Sequence, residues 1–186
     1  MTPPAEGPQG RQGALGPQGS AGAPGAGTLP LARRVVATLT ERGQTVAVAE
    51  SLTGGLLAAA LVEVPGASAV FRGGVVAYAT DLKATLLGVP APLLERHGAV
   101  HPQVAAAMAG GVRQRLDATF GLATTGVAGP EPADGQPVGT VFIAVASAAG
   151  EEPRALRLGG GRATIRYQTV VMSLKQLAVM LEDSGK

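Results

Sequence analysis

The spacing of apolar residues after residue 27 alternates between two patterns, one typical of helices and one typical of strands. Apolar residues recur at intervals of three or four over residues 30–42, which predicts a first helix there. Similar stretches predict the later helices, at residues 53–64, 80–87, 90–96, 101–116 and 165–181. We predict that Thr28 caps the first helix and that Thr80 or Asp81 caps the third.

Short apolar runs without helical spacing predict the strands of one sheet. They are residues 45–49, 71–79, 119–125, 138–147 and 152–158. The pair Gly73–Gly74 indicates a bulge or a close backbone approach in the second strand, and we expect the last strand to run antiparallel to its neighbour. Alternating helices and strands predict a layered α/β domain around a mixed β-sheet.

The N-terminal stretch follows a different pattern. Glycine occupies every third position from Gly7 to Gly25, with Pro8, Pro17 and Pro24 among the residues between, as in collagen. Seven such triplets are too few to hold a triple helix unaided. We therefore predict that residues 1–27 form a disordered low-complexity tail and that residues 28–183 form one domain.

Composition excludes several classes of function. The chain of 186 residues is 46% hydrophobic and contains no cysteine, so it can bury a core but has neither disulfides nor a thiolate nucleophile. It shows no signal peptide and no apolar run of the roughly 18 residues that a spanning helix needs, so we expect a cytoplasmic protein without membrane contact. The net charge is only +2, and 3% of residues are aromatic, which argues against nucleic-acid binding.

The junction after the first predicted strand offers candidate chemistry. There Ser51-Leu52-Thr53-Gly54-Gly55 separates an apolar strand from an apolar helix. Free N–H groups of the first helical turn can hold an anion or a carbonyl oxygen, and Gly54 and Gly55 would let it approach the backbone. Ser51 would lie in the mouth of this site as a nucleophile. The alternative is that Ser51 or Thr53 only caps the helix.

Other polar residues at the ends of predicted strands could act with Ser51. Tyr78 and Thr125 are placed there, and ligands of α/β sheets collect outside the carboxyl ends of strands. A serine hydroxyl needs a base, and with no cysteine and no suitable His/Asp pair the candidates are Lys83 and Tyr78. The alternative for Lys83 is a solvated helix lysine, because the pKa of a lysine falls only when the group is buried.

Two further segments could bind an anion. The backbone of Gly126 to Pro130, which includes Gly129, could cradle a phosphate, although it matches no established phosphate-binding motif. Arg162 and Arg166 lie one turn apart at the start of the last helix and form a candidate anion site, with plain surface arginines as the alternative.

His97 and His101 are the only histidines in the chain. They have no third ligand at metal-binding spacing, so we interpret them as loop or capping residues and expect no metal site.

Seven motifs follow one another in order between Leu29 and Leu181. They are Ala49–Gly55, Pro65–Ser68, Gly74–Tyr78 with Lys83, Gly98–Val100, Thr125–Pro130, Pro137–Val141 and Arg162-x-x-x-Arg166. Together they resemble the motifs of the CinA C-terminal domain family, the nicotinamide mononucleotide deamidases.

The resemblance implies a three-layer α/β/α domain that hydrolyses the carboxamide of nicotinamide mononucleotide to nicotinic acid mononucleotide and ammonia, with no metal and no cofactor. It implies a serine nucleophile assisted by a tyrosine and a lysine, which fall on Ser51, Tyr78 and Lys83. This small-molecule nucleotide would be bound by Thr53, Gly54, Gly55, Thr125, Gly126, Gly129, Arg162 and Arg166. We also expect the protein to be a homo-oligomer.

Two alternatives stay open at this point. One is a catalytically silent nucleotide-binding or competence- and damage-related accessory module, and the other is a serine hydrolase of another small amide or ester. The chain also departs from the family pattern in the loop at residues 131–136, which is short and lacks the usual glycine pair and lysine. In addition, His101 stands where the family usually has serine, and Gly161 replaces an acid that commonly precedes the arginine.

Overall fold

The computed structural model describes residues 27–183. The predicted tail therefore lies outside the described residues, apart from Gly27. The helices are α1 (Leu29–Glu41), α2 (Leu56–Val62), α3 (Thr80–Leu87), α4 (Ala91–His97), α5 (Pro102–Arg115) and α6 (Arg162–Asp183). The strands are β1 (Val46–Glu50), β2 (Phe71–Val76), β3 (Phe120–Gly126), β4 (Thr140–Ser147) and β5 (Gly150–Arg157).

The strands form one mixed sheet in the order β2-β1-β3-β4-β5. β1 runs parallel to β2 and β3, whereas β4 is antiparallel to β3 and β5 is antiparallel to β4. The predicted mixed sheet and the antiparallel last strand are thus confirmed. The irregularity predicted in the second strand is confirmed as well, because the register shifts where Val46 and Ala47 pair with Phe71 and Gly73.

Helices cover both faces of the sheet, which gives the three-layer α/β/α arrangement. Val46 and Val48 of β1 point to the face packed with α1, α2 and α6. Ala47 and Ala49 point to the opposite face, packed with α3, α4 and α5. Small residues on this second face let α5 approach closely, since a Cβ on Gly121 of β3 would collide with the carbonyl of Ala109.

Several helix ends differ from their predicted positions. α2 begins at Leu56 rather than Thr53, because Gly55 before it has a left-handed φ of 97°. α6 begins at Arg162, three residues before its predicted start. The predicted capping of α3 by Thr80 or Asp81 is wrong: the N-cap is Ala79, and no side chain caps the helix. Thr28 occupies the N-cap position of α1, although no side-chain capping bond forms there.

None of the helices in residues 27–183 combines the length and the apolar character that a membrane span needs.

Candidate active site

The carboxyl ends of the three parallel strands meet at one edge of the sheet, and the candidate residues lie there. The N–H of Ser51, directly after β1, donates to the carbonyl of Thr124 in β3 at 3.0 Å. The N–H of Ala77, directly after β2, donates to the carbonyl of Glu50 at 2.9 Å. These bonds join the segments that carry Ser51, Tyr78 and Thr125, as the sequence predicts.

Lys83 reaches back from α3 to the end of β1. Its side chain is fully buried, so the alternative of a solvated lysine is wrong. The Nζ donates to Ser51 Oγ at 3.2 Å, to the carbonyl of Ala77 at 2.7 Å and, over a longer distance of 3.5 Å, to the carbonyl of Tyr78. Ser51 is itself 9% exposed, and its hydroxyl is paired with the amine instead of capping α2.

Burial lowers the pKa of Lys83 from 10.5 to about 8, because an ammonium loses hydration in the protein interior. The negative charges of Asp134 and Asp81 oppose this shift. About one tenth of the amine is therefore neutral at pH 7, and this fraction can accept a proton.

The anion site predicted at the start of α2 is already filled by the chain's own carboxylate. Glu50 is fully buried and accepts the N–H groups of Gly55 (3.0 Å), Leu57 (3.0 Å) and Ala58 (2.8 Å). Gly55 therefore has no free N–H for a substrate oxygen, which corrects the prediction. Our sequence reasoning missed Glu50, although an acidic residue just before a helix start is a known signal of this interaction.

The turn after Ser51 retains two free donors. The N–H of Gly54 donates to the carbonyl of Ser51 at 3.1 Å, whereas the N–H groups of Leu52 and Thr53 have no acceptor among residues 27–183. Arg166 donates to the carbonyls of Leu52 (2.9 Å) and Thr53 (2.7 Å). Because a trans peptide directs its C=O and N–H oppositely, the Thr53 N–H points away from Arg166.

The side chain of Thr53 has a structural role. Its hydroxyl is completely buried and lies 2.8 Å from the hydroxyl of Thr124, so it does not cap α2. Gly54 and Gly55 both have positive φ angles, 58° and 97°, which is the conformation that the turn requires of them.

Tyr78 and Arg162 meet at the surface beside the site. Tyr78 is 58% exposed, and its hydroxyl accepts a hydrogen bond of 2.8 Å from Arg162 Nη2. Arg162 Nη1 also donates to the carbonyl of Gly129 at 2.7 Å. The structure thus brings the backbone of Tyr78, not its hydroxyl, to Lys83. A role for that hydroxyl in catalysis stays a prediction.

Thr125 and Gly126 end β3 beneath a neighbouring loop. The Thr125 hydroxyl donates to the carbonyl of Ala99 at 2.7 Å. A Cβ on Gly126 would collide with Thr140 and Val141 of β4, so packing alone explains glycine there. The N–H of Val127 is paired with the carbonyl of Thr140 and is not available to the predicted phosphate cradle.

Asp134 is a second residue that our sequence reasoning missed. Its Oδ2 accepts the N–H of Ala99 at 2.6 Å and the N–H of Val100 at 3.2 Å. The only sequence signal is the dipeptide Asp134-Gly135, which is typical of tight hairpin turns.

His97 and His101 lie on either side of the same segment. Their rings stack with centroids 4.1 Å apart, and His101 Nδ1 accepts the N–H of Gln103 at the start of α5. The predicted capping role of His101 is confirmed. Burial, followed by the neighbouring His97, lowers the pKa of His101.

Known proteins are similar to this chain over nearly all of the residues that the structure describes. The family model of the CinA C-terminal domain matches residues 28–181. A CinA-like protein of Frankia casuarinae is 56% identical over 147 residues, which are 79% of this chain and 34% of that protein. A putative competence-damage inducible protein of Desulforamulus reducens is 50% identical over 144 residues, 77% of this chain and 35% of that protein. The chain thus spans about a third of the length of these relatives.

Solved structures match over nearly their whole length. The competence/damage inducible protein CihA from Agrobacterium tumefaciens has a TM-score of 0.80 and 41% identity, covering 84% of this chain and 96% of that chain. A CinA superfamily protein from Klebsiella pneumoniae has a TM-score of 0.81 and 34% identity, covering 84% of this chain and 98% of that chain.

Proposed function

This chain belongs to the family of CinA C-terminal domains, and we propose that it hydrolyses the carboxamide of nicotinamide mononucleotide to nicotinic acid mononucleotide and ammonia. Two observations support the proposal. The motifs of the chain resemble those of deamidases of this family, and Ser51 Oγ and Lys83 Nζ form a buried pair 3.2 Å apart. In this proposal Ser51 is the nucleophile and Lys83 is the general base and acid.

The surroundings of Lys83 Nζ are the observation that carries the proposal. A neutral amine has two N–H bonds and one lone pair. The carbonyls of Ala77 and Tyr78 accept the two N–H groups, which directs the lone pair to the remaining neighbour, Ser51 Oγ. Burial makes the neutral form accessible near neutral pH because it lowers the pKa of Lys83 to about 8. A solvated lysine would have neither property.

The first half of the reaction forms an ester. Ser51 Oγ attacks the carboxamide carbon while its proton passes to Lys83 Nζ. The C–N bond of the resulting tetrahedral intermediate then breaks, and the ammonium of Lys83 returns the proton to the leaving nitrogen, so that ammonia departs. The pyridine acyl group stays bonded to Ser51.

The second half releases the acid. Water attacks the ester carbon and gives its proton to Lys83, which passes it to Ser51 Oγ as the C–O bond breaks. The product is nicotinic acid mononucleotide, and both side chains regain their starting protonation states. The consumption of one water and the release of one ammonia balance the reaction.

The free N–H groups of Leu52 and Thr53 are the best candidates for stabilising the oxyanion. Both belong to the turn that begins at the nucleophile, and the acceptors nearest to them in sequence are engaged by Gly54 and Arg166. Fixed backbone donors at such a position are a recurrent means of lowering the barrier to acyl transfer. Leu52 thus replaces Gly54 and Gly55 as a proposed oxyanion donor.

Arg162 is the better candidate for the phosphate of the substrate. Its side chain is exposed, and it retains N–H groups beyond those that bind Gly129 and Tyr78. Arg166 is partly buried and directed toward the turn after Ser51. In the proposed site, Arg162 and Tyr78 therefore bind the nucleotide end of the substrate, whereas Arg166 supports the catalytic turn.

Ammonia release from nicotinamide mononucleotide by the purified chain tests the proposal. Wild-type protein should release ammonia, and Ser51→Ala and Lys83→Met should not. Ser147→Ala is a matched control, because Ser147 ends β4 at the opposite edge of the sheet. Ammonia release from simpler carboxamides but not from the mononucleotide would favour the hydrolase of another small amide. No release from any amide by folded wild-type protein would favour the silent accessory module.

A further inference from the structure

Asp134 sits at the tip of a tight hairpin in the loop between β3 and β4. Ala133 and Gln136 exchange two backbone hydrogen bonds, of 3.2 and 2.8 Å. Between them Asp134 and Gly135 have φ angles of 51° and 68°, the left-handed pair that a type I′ turn requires. Aspartate tolerates this conformation better than most residues, so the turn presents the carboxylate in a defined place.

The segment facing this turn, Gly98–Val100, is built around the carboxylate. Oδ2 of Asp134 accepts the N–H groups of both Ala99 and Val100. A Cβ on Gly98 would lie 2.8 Å from Cγ and Oδ2 of Asp134, and Gly98 has a φ of 70°. Only glycine satisfies both conditions, so the close approach of Asp134 depends on it.

The contacts continue from this segment to the reactive serine. The carbonyl of Ala99 accepts the hydroxyl of Thr125 at 2.7 Å. Thr124, the residue before Thr125, accepts the N–H of Ser51 through its carbonyl. Asp134 thus fixes the peptide that orients the Thr125 hydroxyl, next to the strand end that holds the nucleophile.

We propose that Asp134 is a positioning residue of the Ser51–Lys83 site: its carboxylate fixes Gly98–Val100 and, through them, Thr125. An electrostatic consequence accompanies this role, because the negative charge of Asp134 favours the ammonium form of Lys83. The inference rests on the proposed function for its catalytic consequence. Its structural and electrostatic parts can be measured without any substrate.

The charged groups around Lys83 support this assignment. Asp134, in the loop between β3 and β4, and Asp81, on the same helix as Lys83, both raise the pKa of Lys83 against the larger effect of burial. Glu50, from β1, accepts three N–H groups at the start of α2, including that of the N-cap Gly55, and the Tyr78 hydroxyl is engaged by Arg162. His101, at the start of α5, lies beyond the segment that Asp134 binds.

NMR titration of the lysine side chains tests the electrostatic part directly. The chain has three lysines, Lys83, Lys175 and Lys186, and the resonance of Lys83 is identified as the one missing from the spectrum of Lys83→Met. We expect the Lys83 signal to titrate at lower pH in Asp134→Asn than in wild type. Asp134→Glu, which keeps the charge, should stay nearer to wild type. Glu131→Gln is the matched control on the same loop and should leave the titration unchanged. An unchanged Lys83 titration in Asp134→Asn would overturn the inference.

Steady-state kinetics tests the positioning part. Asp134→Ala removes the oxygen that accepts the N–H groups of Ala99 and Val100 and should lower kcat/KM for the mononucleotide roughly 10-fold, since small displacements of a reacting group are costly. Asp134→Asn keeps one oxygen acceptor and should recover part of this loss, while the acid limb of its pH profile moves to lower pH. Wild-type kinetics in Asp134→Ala would contradict the positioning role. If wild-type protein itself released no ammonia, the proposed function would fail, whereas the lysine titration would still decide the inference about Asp134.

Discussion

Arg166 Nε donates to the carbonyl of Leu52 at 2.9 Å, which ties the start of α6 to the turn after the candidate nucleophile. The same guanidinium donates to the carbonyl of Thr53 at 2.7 Å. A planar group with several fixed donors can hold two adjacent carbonyls at once, which a lysine cannot reproduce. Arg166 therefore determines the direction of the peptide whose N–H we assign to the oxyanion.

The first prediction is that Arg166→Lys lowers kcat/KM for nicotinamide mononucleotide and nicotinamide riboside alike. The expected loss is roughly 10- to 100-fold, from about 1.5–3 kcal/mol for a charge-assisted hydrogen bond. Steady-state kinetics on both substrates measures it. Arg162→Lys is the comparison, and its loss should be confined to the mononucleotide, since only that substrate has a phosphate. A loss confined to the mononucleotide in Arg166→Lys would instead assign the phosphate to Arg166.

The second prediction concerns the buried carboxylate of Glu50. Glu50→Gln replaces one acceptor oxygen by a donor that faces N–H groups of α2, so we expect the free energy of unfolding to fall by about 2 kcal/mol. Chemical denaturation measures this change. Glu63→Gln, at an exposed position on the other end of α2, should stay within about 0.5 kcal/mol of wild type. Equal effects of the two substitutions would show that Glu50 does not hold the helix start.

The fold follows the local sequence closely, because each element has its own apolar pattern. α3 spans the predicted residues, Thr80–Leu87, and β3 and β4 differ from prediction by one or two residues at their ends. The predicted capping of α3 is wrong because it assumed a local hydrogen bond from a side chain at the helix start. The backbone there is held instead by the hydrogen bond from Ala77 to Glu50 and by the bond from Lys83 to the carbonyl of Ala77.

The site was predictable only in part, for a related reason. Ser51 and Lys83 could be paired because Ser51 directly follows β1 and Lys83 lies in the helix that follows β2, the adjacent parallel strand. Asp134 could not be found in this way, since its partners Ala99 and Val100 are backbone N–H groups 35 and 34 residues away. No side-chain pattern in a single sequence encodes such contacts.

The third prediction is a dependence of stability on pH that originates in Lys83. Its pKa is about 8 in the folded protein and 10.5 when exposed, so between these pH values the unfolded chain binds more protons. Stability from this group therefore rises with pH across that range, and below pH 8 the buried ammonium destabilises the fold by about 3 kcal/mol. Lys83→Met should be more stable than wild type at pH 7, with a difference that shrinks toward pH 10.5. A difference independent of pH would refute this account.

The fourth prediction is that activity depends on the same titration. If neutral Lys83 is the base, kcat/KM should increase tenfold per pH unit below about pH 8 and level off above it. A pH profile with the mononucleotide under non-saturating conditions measures this dependence. An activity that is flat from pH 6 to pH 9 would exclude Lys83 as the base.

The central claim is that Ser51 carries the acyl group during turnover, and rapid-quench mass spectrometry of the protein mixed with nicotinamide mononucleotide tests it most directly. We expect a transient ester on the peptide that contains Ser51, formed together with the first ammonia released and absent from Ser51→Ala. Ammonia release by Ser51→Ala at the wild-type rate, or an acyl group on any other residue, would contradict the account.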